Sequence, residues 1–464
     1  MQRALTLGLT LLTAGIAVGI LTAAPTQPKF SPHQEPRGIG NLVVRGDRVQ
    51  LVYDAGVKGA TGSVFVRNDR RRAFVRLPLR AERGPSSTYR ARVPARLIRG
   101  HRLFYYAVLR DRRKLHSARV PASGTTSALV LEHPKVVDLG THRFGETRAP
   151  DEVVARAKAD QVGWQIPPPG PKAGPQSFLV GSDHSIWLHD SFNDRMLVWN
   201  AGDPNTIVRS VPLPDRTADN DVAFGPNGSL YVTHGVGHGL DYHIVLKRLS
   251  ATGRVMWTAR LAGDFFGDSQ SFMIATNSAL RPGPDGTLHV LAGMFGRPGG
   301  QFGWMPVATP RGRAIPMRKQ VRGTDWPYQP MRHGQRMVTE AYTPKIDGPV
   351  QEVRVAIVNR HGNVVRAWRV ISRTPINLHD TPRILRGAPT LVLDLLEGQD
   401  TSSRWEYEVV RLVPNGMPAM FSLPHMTYGD NILPDVRMSS TRDGGVYQLS
   451  SDPSFGVQIL RYAF

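Results

Sequence analysis

The chain has 464 residues, 58 basic side chains against 37 acidic ones and a formal net charge of +21. That length exceeds one ordinary core and predicts two domains, or one large domain with an appendage. Cysteine is absent, which excludes disulfides, thiolate metal sites, a thiol nucleophile and a lipidated cysteine anchor.

The chain opens with one cation, Arg3, followed by an uncharged, largely apolar stretch from Ala4 to Ala24. This predicts a hydrophobic helix long enough to span a bilayer. Thr22 and Ala24 resemble a small-x-small cleavage site, whereas Pro25 directly after them would hinder the peptidase. Residues 1–24 are therefore either an uncleaved membrane anchor or a removed signal peptide, and both readings export the rest of the chain. Residues 25–45 read as a linker.

Between residues 46 and 132, segments such as "RVQLVYDAG", "GSVFVRND", "TYRARVP", "LFYYAVLRD" and "SALVLE" alternate or run apolar, with turn signals between them. Each strand of such a set shows one face to a core and the other to water, which predicts a small β-sandwich. The pair "TYRARVP" and "LFYYAVLRD" resembles the later strands of fibronectin type III and other Ig-like modules. Between Phe65 and Val120, sixteen arginines and one lysine face only Asp69, Glu82 and Asp111. Alternate arginines such as Arg90 and Arg92 would form a guanidinium-covered face, either contacting anionic lipid headgroups or wall polymers or simply solvated. Nucleic acid is excluded as a partner by export and by the lack of an accompanying motif.

From residue 133 to 464 the chain repeats. "SFLVGSDHSIWLHDS", "DVAFGPNGSLYVTHG" and "ALRPGPDGTLHVLAG" each place a tight turn between two apolar strands, and three weaker copies follow. A second hairpin type alternates with the first, with turn glycines at Gly253, Gly312, Gly362 and Gly416. The combined unit is four antiparallel strands in roughly 54 residues, the period of β-propeller blades. The prediction is an all-β chain: a six-bladed β-propeller preceded by an Ig-like sandwich and the N-terminal hydrophobic helix. Since the last unit stops one strand short, residues 133–140 ("HPKVVDLG") are expected to complete it and close the ring.

"SIWLHDSFNDRMLVWN" resembles an NHL-type propeller repeat, and its Asp190, Asn193 and Arg195 match the residues that in that family tie the turn between second and third strands. "NDVAFGPNGSLYVT" is similar to inner hairpins of the gluconolactonase and paraoxonase propellers. That second resemblance implies calcium held by oxygen side chains at one mouth of the channel, and the matching positions are Asn220, Asn277, Asp380 and Asp435. The sequence departs from the pattern at Gln176, where the family has Glu, and in the fourth unit, where no counterpart stands.

Histidines His189, His234, His289, His333, His379 and His425 fall one to a unit. Converging imidazoles would hold zinc, and His234 or His379 would serve as a general base; the alternative is a set of structural histidines. No GxSxG elbow, Walker loop, HExxH pair or strand-following GxGxxG is present. Ligand contacts are expected on loops 234–243, 263–275 and 294–304, through His238, His243, Phe265, Phe266, Phe295 and Phe302. The function expected is an exported, membrane-tethered envelope protein whose propeller binds a protein, peptide or glycan without catalysis and with no assured cofactor. The alternative is a metal-dependent lactonase or esterase acting at the channel mouth.

Overall fold

The alternation in "RLFYYAVLR" becomes a nine-residue strand, Arg102–Arg110, in which Leu103, Tyr105, Ala107 and Leu109 are buried while Phe104, Tyr106 and Val108 stay half-exposed. A strand with this period has one dry face. The computed structural model describes residues 29–34, 40–82, 87–113, 115–164, 174–175, 177–214, 221–236, 243–264, 272–273, 280–294, 301–323, 329–331, 334–342, 350–376, 383–385, 390–397, 405–413, 418–425, 438–440 and 445–464. The N-terminal hydrophobic segment lies outside them. Among the described residues no helix is long and apolar enough to cross a membrane.

Arg102–Arg110 belongs to the larger of two packed sheets. It lies between Thr61–Asn68 on one side and both Thr126–Leu131 and Ser117–Val120 on the other, with Val75–Pro78 and Leu42–Val44 at the edges. The facing sheet runs His33–Gln34, Gln50–Asp54, Thr88–Arg92, Arg80–Ala81. Leu51, Tyr53, Val64, Val66, Leu103 and Leu109 fill the space between the two. Residues 33–34 and 42–44 are thus strands of the sandwich, where a linker over 25–45 was expected. "LVV" is too short to register as a strand by itself. It becomes one by pairing in parallel with Leu129–Leu131.

That pairing also makes the junction with the rest of the chain. Val43 and Val130 turn into the sandwich core, whereas Leu42, Val44, Leu129 and Leu131 turn the other way and pack on Val338, Ala356 and Val358. The continuous apolar run in "SALVLE" follows from this, since both faces of the strand are covered.

Beyond the sandwich, four-stranded antiparallel sheets follow one another in β-propeller-like fashion. Ser177–Val180, Ile186–Asp190, Arg195–Trp199 and Arg209–Pro212 form one; Val222–Phe224, Leu230–Val236, His243–Leu249 and Val255–Asp264 form the next. In the third, Leu288–Met294 pairs with Leu280–Pro282, Phe272–Met273 and Gln301–Ala308. Strands Gln329–Pro330 to Val364–Ile376 and Arg383–Leu385 to Ala419–Pro424 follow, bridged by the pair Ile376↔Leu395. Met438–Ser440, Val446–Asp452 and Gly456–Tyr462 end the chain. First strands approach one another: Val222–Phe224 lies beside both Ser177–Val180 and Leu280–Pro282, and Met438–Ser440 beside both Ser177–Val180 and Arg383–Leu385. Apolar cores join successive sheets, as where Leu188, Leu197 and Trp199 meet Tyr447, Leu449 and Ile459.

The turn in "DVAFGPNGSLYVTHG" forms as its sequence demands, with Asn227 and Gly228 both at positive φ and Phe224 opposite Leu230. Gly253, at φ 87, sits where a Cβ would run into the Pro212 carbonyl of the preceding sheet, so only glycine fits both the turn and the packing.

The closing strand is not residues 133–140. Lys135–Asp138 pairs in parallel with the outer strand Val364–Ile376, Val137 buried and Val136 exposed. The last sheet is completed by Glu152–Ala157, antiparallel to Gly456–Tyr462, with a register shift between Val153 and Ala155. Both segments cap an edge that would otherwise expose its backbone groups. Residues 133–140 are used first because they emerge from the sandwich beside the fourth sheet, and residues 139–151 carry the chain on to the last.

Candidate functional site

Polar side chains at the first strands are engaged with one another. Asp221 is buried; its Oδ1 accepts the Val222 N–H at 2.8 Å, and its Oδ2 accepts the Leu280 N–H of the neighbouring sheet at 2.7 Å. Arg281 lies beside it, over the Trp304 ring at 5.1 Å. Burial lowers the Arg281 guanidinium to about 10, and the Asp221 charge opposes the shift. In the first sheet, Ser177 Oγ meets the buried His189 Nδ1 at 3.3 Å.

Asp190, Asn193 and Arg195 do tie the turn between second and third strands. Asp190 Oδ2 accepts from Asn193 Nδ2 and Arg195 Nε, each at 2.9 Å, and its Oδ1 accepts the Gly163 N–H at 2.8 Å. The carboxylate has no exposure and both its oxygens carry hydrogen bonds, so it acts as a structural clasp.

The remaining sequence candidates scatter. His234 and His243 lie on adjacent strands, opposite Val245 and Val236 respectively. His289 stands in the third sheet, its imidazole pushed down by burial against the pull of Asp285. Phe302 occupies a strand position opposite Gly293. Asn220, Asn277, Asp380, Asp435, His238, His333, His379, Phe265, Phe266 and Phe295 lie outside the described residues. Among the described residues no group of three or more His, Asp or Glu is arranged to hold a metal ion. Asp221, next in the chain to the expected calcium position Asn220, accepts one backbone N–H on each oxygen.

The expected arginine face is also modified. Arg90 is half-buried in an ion pair with Glu82 and donates to Gln50 Oε1 at 3.4 Å, while Arg92 is exposed. On the larger sheet Arg67 lies over Phe74 and Phe104, and Arg119 over Tyr106. These guanidiniums are laid against rings, which orients them and shields one face.

Two buried charge clusters went unrecognised in the sequence. At the sandwich junction, Arg354 donates from Nη1 to Asp47 Oδ2 at 2.7 Å and to the Leu42 carbonyl at 3.0 Å, and from Nε to Glu352 Oε1 at 2.7 Å, with its guanidinium stacked 3.5 Å from the Tyr342 ring. Arg369 grips Glu352 with two bonds, at 2.7 and 3.0 Å. Burial opposes ionisation of Glu352, but the bonds from Arg369 and Arg354 hold its carboxyl below the usual range. Glu340, opposite Arg354 on the adjacent strand, accepts the Leu42 N–H at 2.6 Å. Desolvation there pushes its carboxyl up to about 7. A side chain at residue 40 would fall on that carboxylate, so Gly40 permits the approach. The signal for this cluster was present in "VTEAY" and "QEVRVAIV", where charges occupy positions that the alternation assigns to a covered face.

The second cluster lies under residues 139–151. His142 Nε2 is 2.9 Å from Glu406 Oε2 and its Nδ1 3.5 Å from Glu408 Oε2, all three side chains buried. Glu406 Oε1 also accepts the Gly145 N–H, and Glu408 accepts from Ser422. Burial raises the Glu408 carboxyl, with Ser422 and His142 opposing. An imidazole bridging two carboxylates through opposite nitrogens pins the connecting segment.

No family model matches the chain, and no curated protein is similar to it in sequence. Among solved structures it is similar to streptogramin B lyase, at 10% identity over 78% of this chain and 89% of that one, with a TM-score of 0.28. It is also similar to the PQQ-bound aldose sugar dehydrogenase of Streptomyces coelicolor, at 10% identity over 68% and 96% with a TM-score of 0.35. A polysaccharide lyase matches at 11% identity over 78% and 88%, with a TM-score of 0.31. Likenesses at this level carry no inference about activity.

Proposed function

We propose that the chain is an exported, membrane-tethered envelope protein in which an Ig-like sandwich carries a six-bladed, NHL-type propeller that binds a protein, peptide or glycan without catalysis. Ligand contacts fall to the loops at 234–243, 263–275 and 294–304, and the basic sandwich faces an anionic lipid or wall polymer. Asp221 carries the reading. Its Oδ1 accepts the N–H of Val222 beside it and its Oδ2 that of Leu280 in the neighbouring sheet, so this buried carboxylate serves as a fastener between sheets. The six successive strand groups and the contacts between first strands support a ring of six.

Metal analysis of the purified chain and melts with and without a chelator test this reading, since a cation bound only to the folded state raises its stability. Recognition without catalysis expects no stoichiometric metal, no chelator shift and no lactone or ester turnover. A bound divalent ion whose removal lowers Tm by several degrees overturns it in favour of a metal-dependent hydrolase.

A further inference from the structure

The sandwich has two poles, and they differ in chemistry. At one, Arg102 donates to the Gly362 carbonyl and Asp47 pairs with Arg354, so this pole is the propeller side. Arg102–Arg110 then runs away from the propeller for about 26 Å at roughly 3.3 Å per residue. Its far end pairs Arg110 with Thr61, and Gln50–Asp54 ends at the same pole, where Asp54 pairs with His33 and Thr88.

Three features gather at that far pole. Lys29, Lys58, Arg110, Arg112 and Arg113 are all exposed, and among the described residues none of them is ion-paired. The nearby acids each bond a local backbone N–H: Asp54 accepts from Gly56 and Asp111 from Leu115. Leu115, at the tip of the hairpin joining Arg102–Arg110 to Ser117–Val120, is 71% exposed, the most of any large apolar side chain among the described residues. The chain also enters here. Ser31 donates its N–H to the Ala55 carbonyl, and Lys29 lies against Gly56. Only residues 25–28 separate Lys29 from the apolar stretch ending at Ala24, a gap of under about 18 Å even when extended.

We propose that this pole is a docking surface for an anionic phospholipid bilayer, with Leu115 entering the headgroup boundary and the five cations contacting lipid phosphates. The inference rests on the tethering reading above and adds to it an orientation: the sandwich stands on the membrane and holds the propeller at its opposite end. An apolar tip ringed by cations fits a surface that is charged outside and apolar beneath. A soluble polyanion would leave the leucine unused.

The absence of cysteine makes the test clean. Leu115→Cys, and separately the exposed Met256→Cys on the propeller, are labelled with a polarity-sensitive fluorophore in the full chain. The labelled proteins are reconstituted into nanodiscs of phosphatidylcholine with or without one quarter phosphatidylglycerol. The expected result is a blue shift and quenching by headgroup-attached spin labels at Leu115→Cys in the anionic discs only, and none at Met256→Cys. Arg112→Glu with Arg113→Glu should reduce the docking equilibrium constant at least tenfold, since each cation near an anionic surface contributes about fivefold. A water-like Leu115 label on a chain that remains in anionic discs overturns docking and leaves tethering standing. Should the chain leave the discs altogether, tethering fails, and flotation of the same protein with anionic vesicles decides docking by the same shift. An equal shift with a soluble acidic polysaccharide overturns the assignment to lipid.

Discussion

Arg354 of the propeller-like region and Asp47 of the sandwich form a 2.7 Å ion pair, the arginine almost fully buried. An ion pair of this kind is a weak source of net stability when whole but costly when halved, because the surviving charge keeps its desolvation penalty without its partner. Asp47 is further committed to the Val44 N–H at 2.7 Å. The junction is therefore a point where single substitutions have long reach.

Arg354→Ala is expected to cost about 3–5 kcal/mol, because Glu352, Asp47 and the Leu42 carbonyl lose a common donor. The urea midpoint reads this, and amide exchange at Leu42 and Val44 should accelerate before that of the sandwich core. A loss under about 1 kcal/mol would mean that the cluster is not sealed from water.

Glu340 makes the junction pH-dependent. Its folded carboxyl sits at about 7 against an ordinary 4.5, raised chiefly by desolvation. The folded state thus holds the proton more tightly than the unfolded one, so the contribution of this group is full below about pH 4.5 and is lost as pH rises through about 7. The expected loss is on the order of 2 kcal/mol between pH 5 and 8. Glu340→Gln keeps an acceptor for the Leu42 N–H and should flatten that part of the profile. Identical pH slopes for the parent and the variant would contradict the assignment.

His142 holds Glu406 and Glu408 apart. His142→Ala leaves two buried carboxylates facing each other and is expected to cost about 3 kcal/mol. Adding Glu408→Gln should return part of that loss, giving a coupling of at least about 1 kcal/mol in a double-mutant cycle. Strict additivity would show that the three side chains do not act as a unit.

Asp190→Ala removes the acceptor of Gly163, Asn193 and Arg195 together, at an expected cost of about 2–3 kcal/mol. Native-state exchange checks the mechanism: the Gly163 amide should lose protection, while Ile186 and Leu188 in the strand keep theirs. Arg195→Ala should cost less, because that side chain is about one-third exposed and leaves Asp190 with two donors.

Much of the strand pattern was legible because it is local. Alternation in "RLFYYAVLR" and turn chemistry in "FGPNGSL" depend on neighbours a few residues away, and both appear in the structure as read. The Asp190 clasp was legible through its resemblance to a known repeat. By contrast, "KVVD" and "EVVARA" are equally plausible edge strands, and nothing within either says which edge it caps. The continuous apolar runs "LVV" and "ALVL" hinted at cover on both faces, but the second cover lies hundreds of residues away in Val338 and Ala356. The inner-strand candidates at Asn220, Asn277, Asp380 and Asp435 fall outside the described residues, and Asp221, beside Asn220, accepts the Leu280 N–H, a partner 59 residues away that no sequence pattern pairs with it.

By itself the sequence determined a nearly all-β chain of short strands and repeating hairpins with a basic leading module, since period, turn residues and charge are properties of adjacent positions. Tertiary structure alone decided that Arg354 meets Asp47, that His142 meets Glu406, and that Lys29, Lys58, Arg112 and Leu115 share the pole farthest from the propeller. Those relationships join residues distant in the chain, and burial that costs a lone charge several kcal/mol becomes tolerable only when folding delivers the partner.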